Sequence, residues 1–365
     1  MTIALAHEYF SAHGGAERVV EVFHELWPSA PVYTFFHDRA RYGPLGADWV
    51  LRTSFLQQLP IGGGTHRLLL PLYPRAARRL RVPADIDLVL TSTSAFIKGI
   101  GLAERTVHVA YCHSPTRYLW DWSERYLDEE VPLPLQPFVR QLLVGLREAD
   151  LQAATRVDRW IANSNVVAER IRSIYRAPSE VVHPPVDVDG FRPAATRGDF
   201  WLFVGRLSRY KRADIAIKAF NEVGLRLIVV GEGRERGSLE RLARDNVSFT
   251  GRVADATVRE LLASARGLVF PAEDDFGIVC AEALASGAPV VALAKGGAPE
   301  IVGPAEGALV AEAVPEAFAD AVRAIESDGR DPQTLRRSAR RFDVPRFRDR
   351  VKTIVEQARE AGRAR

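Results

Sequence analysis

Residues 200–230 read FWLFVGRLSRYKRADIAIKAFNEVGLRLIVV. Residues 200–204 and 226–230 are short apolar runs that read as strands, and 213–223 reads as the helix between them. Apolar runs without polar alternation suit strands buried on both faces, as in a parallel sheet covered by helices. The pattern continues outward. It predicts helices at 234–243, 256–265 and 279–286, and strands at 247–250, 267–270 and 289–293. Towards the N-terminus, 2–6, 87–91, 107–111 and 159–163 are further strand candidates, with a helix at 17–26. Strands alternating with helices of about ten residues predict βαβ units. The segment 181–192, VVHPPVDVDGFR, carries two prolines and a glycine and suits a connection between domains. The expectation is an α/β protein of two doubly wound domains, 1–183 and 184–345. Residues 346–365 would form an Arg/Glu-rich C-terminal helix able to cross back to the first domain.

The bulk numbers agree. A chain of 365 residues, 47% hydrophobic and 26% charged, has the composition of a globular protein and exceeds what one core usually serves. A net charge of +3 gives no reason to expect nucleic acid as a partner. Cys112 and Cys280 stand alone, with no C-x-x-C pairing, which fits a reducing compartment. The first ten residues lack a basic start and carry Glu8 within an apolar stretch, so no signal peptide is expected. No apolar run approaches the roughly 20 residues that span a bilayer. The expected location is cytoplasmic, in solution or peripheral on the cytoplasmic face of the inner membrane. Of 49 basic residues only five are lysines, Lys98, Lys211, Lys218, Lys295 and Lys352.

Open parallel sheets bind ligands at the carboxyl ends of their strands, and four such places carry candidate chemistry. After the first strand, AHGGAER at 12–18 opens a helix. Gly14 and Gly15 let backbone approach a ligand, and the free N–H groups of a helix start favour an anion. A tight strand-to-helix turn is the plainer explanation. After strand 200–204, Arg206 and Lys211 can clamp a diphosphate, the guanidinium as a fork and the ammonium as a point charge. After 267–270 come Glu273, Asp274 and Asp275, then Phe276, Gly277 and Ile278, with Glu282 in the following helix. Carboxylates there can accept from sugar hydroxyls. A helix macrodipole accounts for the triplet equally well, but not for Glu282 inside an apolar stretch, where an unpaired charge is costly. After 107–111, YCHSPTRYLWD at 111–121 places His113 among aromatic residues.

Together these stretches resemble the retaining group-1 glycosyltransferases of family 4, which have the GT-B architecture: two Rossmann-like domains facing a central cleft. The C-terminal half carries FVGRLSRYKR, IVVGEGRERGSLE, VSFTGRV, PAEDDFGIVCAEALASGAPVVA and GGAPEIV. The N-terminal half carries GGAERV, TSTSAFIKG, AYCHSPTRYLWD and IANSNVVAERI. YCHSPTRYLWD with RLSRYKR looks most like bacterial mannosyltransferases that use GDP-mannose in surface-polysaccharide assembly. The resemblance implies an acceptor-binding first domain and a nucleotide-sugar-binding second one, with a glycan or polyprenyl-linked acceptor. The backbone of Gly14 and Gly15, with Arg206 and Lys211, would hold the donor diphosphate. His113 would face the donor sugar and Glu282 the ribose, and Val253 would lie in the nucleobase pocket. The family's first acidic position falls on Asp274, one methylene shorter than its glutamate, so either Asp274 or the neighbouring Glu273 would meet the sugar. Transfer with retention, by front-face attack and without a metal or other cofactor, is the implied chemistry.

Other readings are weaker. GEGRERG at 231–237 has the wrong spacing for a dinucleotide fingerprint. Asp85-Ile-Asp87 precedes a strand and Asp187-Val-Asp189 lies in the connection, so neither is placed to hold a metal. A nucleotide-sugar epimerase would turn over donor without acceptor, and a non-catalytic carbohydrate-binding protein would release no nucleotide. Arg75, Arg78, Arg79 and Arg81, beside the apolar residues of 66–73, form either a solvated helix face in an Arg-rich chain or a patch that holds the first domain on anionic lipid, and flotation with anionic against neutral vesicles decides.

Overall fold

Among the described residues the strands form two sheets in which every pairing is parallel. The computed structural model describes residues 2–59 and 65–363. It divides the chain into two units, Met1–His183 with Phe347–Arg365, and Pro184–Arg346. In the first unit β1 is Ile3–His7, β2 Val32–Thr34, β3 Leu51–Thr53, β4 Leu88–Thr93, β5 Val107–Cys112, β6 Arg159–Ala162 and β7 Ser179–Val181, in the order β3-β2-β1-β4-β5-β6-β7. In the second unit β8 is Phe200–Val204, β9 Arg226–Val230, β10 Val247–Gly251, β11 Leu268–Phe270, β12 Val290–Leu293 and β13 Gly307–Val310, in the order β10-β9-β8-β11-β12-β13.

Burial explains why these runs are strands. Every residue of β1, β4, β5, β11 and β12 is buried, as expected for strands covered on both faces. The helices that cover them are amphipathic: Gly15–Leu26 buries Val19, Val20 and Phe23, and Ala213–Val223 buries Ile215, Ala216, Ala219 and Phe220. The strands β8 and β9 and the helix between them fall where the sequence places them. The first helix starts two residues earlier than the apolar pattern suggests, because Gly15 and Ala16 already have helical backbone. Four strands, β2, β3, β7 and β13, and the long helices Gln136–Ala154 and Pro315–Ser327 are not placed from the sequence, although Phe318, Val322 and Ile325 have helical spacing.

The C-terminal helix Val344–Arg363 packs within the first unit from Phe347 onward. Phe347 stacks on Phe23 at 5.8 Å and meets Tyr111 edge-on at 5.7 Å. Val351, Ile354, Val355 and Ala358 are buried. Of the basic segment, Arg75, Arg78, Arg79 and Arg81 are exposed, while Tyr73, Ala76, Ala77 and Leu80 face the core. The side chains of residues 66–68 lie outside the described ones. Among the described residues no helix is long and apolar enough to cross a membrane. Both cysteines are free and buried.

A buried core histidine contributes to a pH limit on the fold. His108, fully buried in β5, has Thr91 as its side-chain partner at 3.1 Å, and burial, opposed by Asp158, pushes its pKa down to about 4. An unfolded histidine titrates near 6.5. Between these values the unfolded chain binds a proton that the native chain refuses, so stability falls as pH falls. From pH 6.5 to 5 the loss amounts to about 1–2 kcal/mol. The melting temperature of His108→Gln should decline less steeply over that interval than that of the parent. Equal slopes would remove His108 from the explanation.

Candidate active site

Each sheet has one topological switch point, where chain connections leave in opposite directions and a crevice opens at the strand ends. In the second unit it lies between β8 and β11. The loop after β8 carries Arg206 and Lys211, and the loop after β11 carries Glu273, Asp274 and Phe276, so the two candidate stretches meet at one place. Lys211 Nζ lies 2.6 Å from Asp274 Oδ2. Burial is the largest single influence and works against the charge on Lys211, but Asp274, Tyr210 and Cys280 together outweigh it, and the pKa of the amine is raised. The ammonium also lies 5.2 Å from the centre of the Tyr210 ring and 5.7 Å from that of Phe270. Backbone holds it there. Arg209–Lys211 is a single 3-10 turn ended by Arg212 at φ 53°, a left-handed conformation that costs a non-glycine residue about 1 kcal/mol or more. Arg212 is fixed in turn by Asp214 at 3.0 Å.

Arg206 is exposed and makes no ion pair among the described residues. Asp274 is the acid brought onto Lys211, while Glu273 faces solvent. Phe276 is buried edge-on against Phe342 at 5.4 Å, and Gly277 caps the helix Ile278–Ala285 at φ 84°, a conformation that favours glycine. Glu282 is half-buried on that helix. The buried Cys280 thiol registers the charges around it. Burial raises its pKa most, Asp274 and Glu282 add to the rise, and Lys211 opposes it. Val253 is half-buried against the same core.

Glycines bring these loops together. A Cβ at Gly231 would lie 1.9 Å from the Gly205 carbonyl oxygen, and one at Gly233 would lie 2.1 Å from that of Leu207. The G-x-G after β9 therefore serves the close approach of two loops. Gly296 and Gly297 do the same against Asp274 and Asp275, and Gly297 N–H donates to Asp274 O at 2.9 Å. The two D-x-D stretches are structural. Asp87 accepts from Thr2 N–H at 3.0 Å, Asp187 pairs with Arg259 at 3.1 Å, and Asp189 pairs with Arg336 and Arg340 at 3.2 and 2.5 Å.

In the first unit the switch point lies between β1 and β4, with β5 next to β4. Gly14 is the extended N-cap of helix Gly15–Leu26 and, as a glycine, brings no side-chain cap of its own. His13 stacks on Tyr42 at 4.1 Å and bonds Tyr42 O at 2.9 Å, which fixes the approach to Gly14. At the end of β5, His113 Nε2 lies 2.8 Å from Ser92 Oγ. Burial, with His7 nearby, pushes the His113 pKa down to about 3, so the ring is neutral at ordinary pH. Its backbone is held on both sides: His113 N–H donates to Thr93 O and Asn163 Nδ2 donates to His113 O, each at 2.9 Å.

Sequence reasoning assigned no role to Glu8, His7 or Ser92. Glu8 is buried, and one carboxylate oxygen accepts from Thr93 Oγ1 and from the backbone N–H groups of Ser94, Ala95 and Ile97, at 2.7 to 3.3 Å. That anchor shapes the loop after β4. Its signal was a charge inside an apolar stretch, the reasoning applied to Glu282 but not to Glu8.

Two doubly wound parallel sheets in one chain match the GT-B architecture, and solved structures similar to the chain agree. Sucrose-phosphate synthase from Thermosynechococcus elongatus superposes with a TM-score of 0.74 at 18% identity, over 99% of this chain and 100% of that one. Anabaena HepE in complex with UDP-glucose superposes at 0.70 and 18% identity, over 98% and 100%. At such identities the likeness concerns the fold. A family model described as Glycosyltransferase Family 4 matches residues 13–189, and one described as Glycosyl transferases group 1 matches 191–342. The chain belongs to the group 1, family 4 glycosyltransferases. Among curated relatives, a D-inositol 3-phosphate glycosyltransferase of Segniliparus rotundus is 36% identical over 202 residues, 47% of this chain and 43% of that protein. A GDP-mannose-dependent monoacylated alpha-(1-6)-phosphatidylinositol monomannoside mannosyltransferase of Corynebacterium glutamicum is 34% identical over 201 residues, 46% and 53% of the two chains. The matches thus span about half the length of these relatives.

Proposed function

We propose that the protein is a retaining hexosyltransferase that moves a sugar, mannose first among candidates, from a nucleotide diphosphate donor to a glycan or lipid-linked acceptor. The observation that carries this reading is Lys211, held charged by Asp274 at 2.6 Å beside an exposed Arg206, at the switch point of the second sheet. In glycosyl transfer negative charge builds on the departing diphosphate, and prepositioned cations stabilise it most at that moment. Arg206 and Lys211 would take the diphosphate, Asp274 the sugar hydroxyls and Glu282 the ribose. Within the first unit, Gly14 and Gly15 would offer amide donors to an anion and His113 a contact to a sugar. The preference for GDP-mannose draws on the Corynebacterium relative, whose name states that donor.

A melting-temperature screen against GDP, UDP, ADP and their sugars tests it. A ligand at 100 times its Kd stabilises by about 2.7 kcal/mol. GDP and GDP-mannose should raise the melting temperature most. A larger shift with UDP would transfer the assignment to a uridine donor, and none with any nucleotide would overturn the reading.

A further inference from the structure

At the ends of β1, β4 and β5 three side chains form a line, of which the proposed chemistry has used only His113. His7 Nδ1 lies 3.1 Å from Ser92 Oγ, and Ser92 Oγ lies 2.8 Å from His113 Nε2. At the far end, His7 Nε2 is buried without a hydrogen-bond partner among the described residues, and its nearest charge is Glu17 Oε1 at 3.7 Å. Glu17 lies in the first turn of the helix that Gly14 caps.

Proton arithmetic gives this line a direction. A serine hydroxyl has one hydrogen to donate, and a neutral imidazole has one donor and one acceptor nitrogen. A bare Nε2 lone pair on His7 would face a carboxylate oxygen and be repelled, whereas an Nε2–H is attracted to it. With that proton on Nε2, His7 Nδ1 is an acceptor and Ser92 donates to it. The Ser92 oxygen then accepts from His113 Nε2–H. His113, neutral through burial, is left with a bare Nδ1.

We propose that Glu17, His7 and Ser92 are positioning residues that fix His113 as its Nε2–H tautomer, so that its Nδ1 accepts a hydrogen bond from a hydroxyl of the sugar. The catalytic part rests on His113 meeting the donor sugar, as set out above. The tautomer itself does not. A bare nitrogen suits a polyol and repels a phosphate oxygen, so it also separates the sugar end of the donor from the diphosphate end.

The experiment is nitrogen-15 NMR of the full chain with labelled histidine, at pH 8, where an ordinary histidine is neutral. His113→Gln assigns the His113 signals, and protonated and bare ring nitrogens resonate far apart. The parent should show Nε2 protonated and Nδ1 bare. Ser92→Ala should mix the two tautomers and lower kcat/KM about tenfold, the loss expected of one hydrogen bond. Ser92→Thr, which keeps the hydroxyl, should restore both. A protonated Nδ1 in the parent, or a His113 spectrum unchanged in Ser92→Ala, overturns the relay. A mixed tautomer in Ser92→Ala with unchanged transfer leaves the relay standing and removes the role of His113 at the sugar.

Discussion

Lys211→Ala should lower kcat/KM for sugar transfer from GDP-mannose by at least about 100-fold, and Arg206→Ala by a similar factor. Removing one prepositioned donor to developing charge typically costs about 3–4 kcal/mol of transition-state stabilisation. The two variants differ in what they leave behind. Arg206 is exposed and makes no ion pair among the described residues, so its loss leaves no charge stranded. Lys211 is paired with Asp274 at 2.6 Å, so its removal also strands a carboxylate where the diphosphate would sit. Lys211→Ala should therefore be the worse of the pair, and adding Asp274→Asn should recover part of the donor affinity but not the turnover. Near-normal turnover in either single variant, measured by nucleotide release, refutes the assignment.

Asp150→Ala should destabilise the first unit by about 3–5 kcal/mol, a fall in melting temperature on the order of 10 °C. Asp150 has no exposed surface, yet its carboxylate receives four donors. Lys98 Nζ lies at 2.5 Å, Thr116 Oγ1 at 3.1 Å, and Trp120 Nε1 and Tyr175 Oη at 2.9 Å each. These tie helix Gln136–Ala154 to the turn Ile97–Gly99, to the loop after β5 and to the π-helical turn Ile171–Tyr175. Without Asp150, the almost fully buried Lys98 is left charged and unmatched, which is what makes breaking such a pair expensive. The double replacement Lys98→Met/Asp150→Leu removes both charges and should recover much of the loss. If Asp150→Ala melts within about 2 °C of the parent, well below the fall that breaking a buried pair predicts, the network is not what holds these segments together.

The second unit was legible as far as β12, because its strands are short apolar runs and the helices between them are short and punctuated by turns. The ends of β8, β9 and β11 fall on glycine or proline punctuation, Gly205, Gly231 and Pro271. The first unit was less so. Strands β2, β3 and β7 have three residues each, too few for a pattern, and their pairing is set by neighbours far along the chain. At the site, Arg206, Lys211 and the acidic stretch stood out by charge at strand ends. The choice between Glu273 and Asp274 did not, because one residue decides which side chain turns towards β8, and only the folded loops against Gly296 and Gly297 fix that. The His7–Ser92–His113 line is built from β1, β4 and β5, residues 85 and 21 positions apart, and no local spacing betrays it.

The C-terminal helix has a consequence for how the molecule is made. Phe23 and Tyr111 wait for Phe347, which is synthesised only after all of residues 184–346. On the ribosome, then, the first unit is begun first and finished last, and its unfinished face stays uncovered through the whole of the second unit's synthesis. The second unit is in covalent terms an insertion, entering and leaving through two links. A fragment stopped near residue 183 would carry that bare aromatic patch permanently.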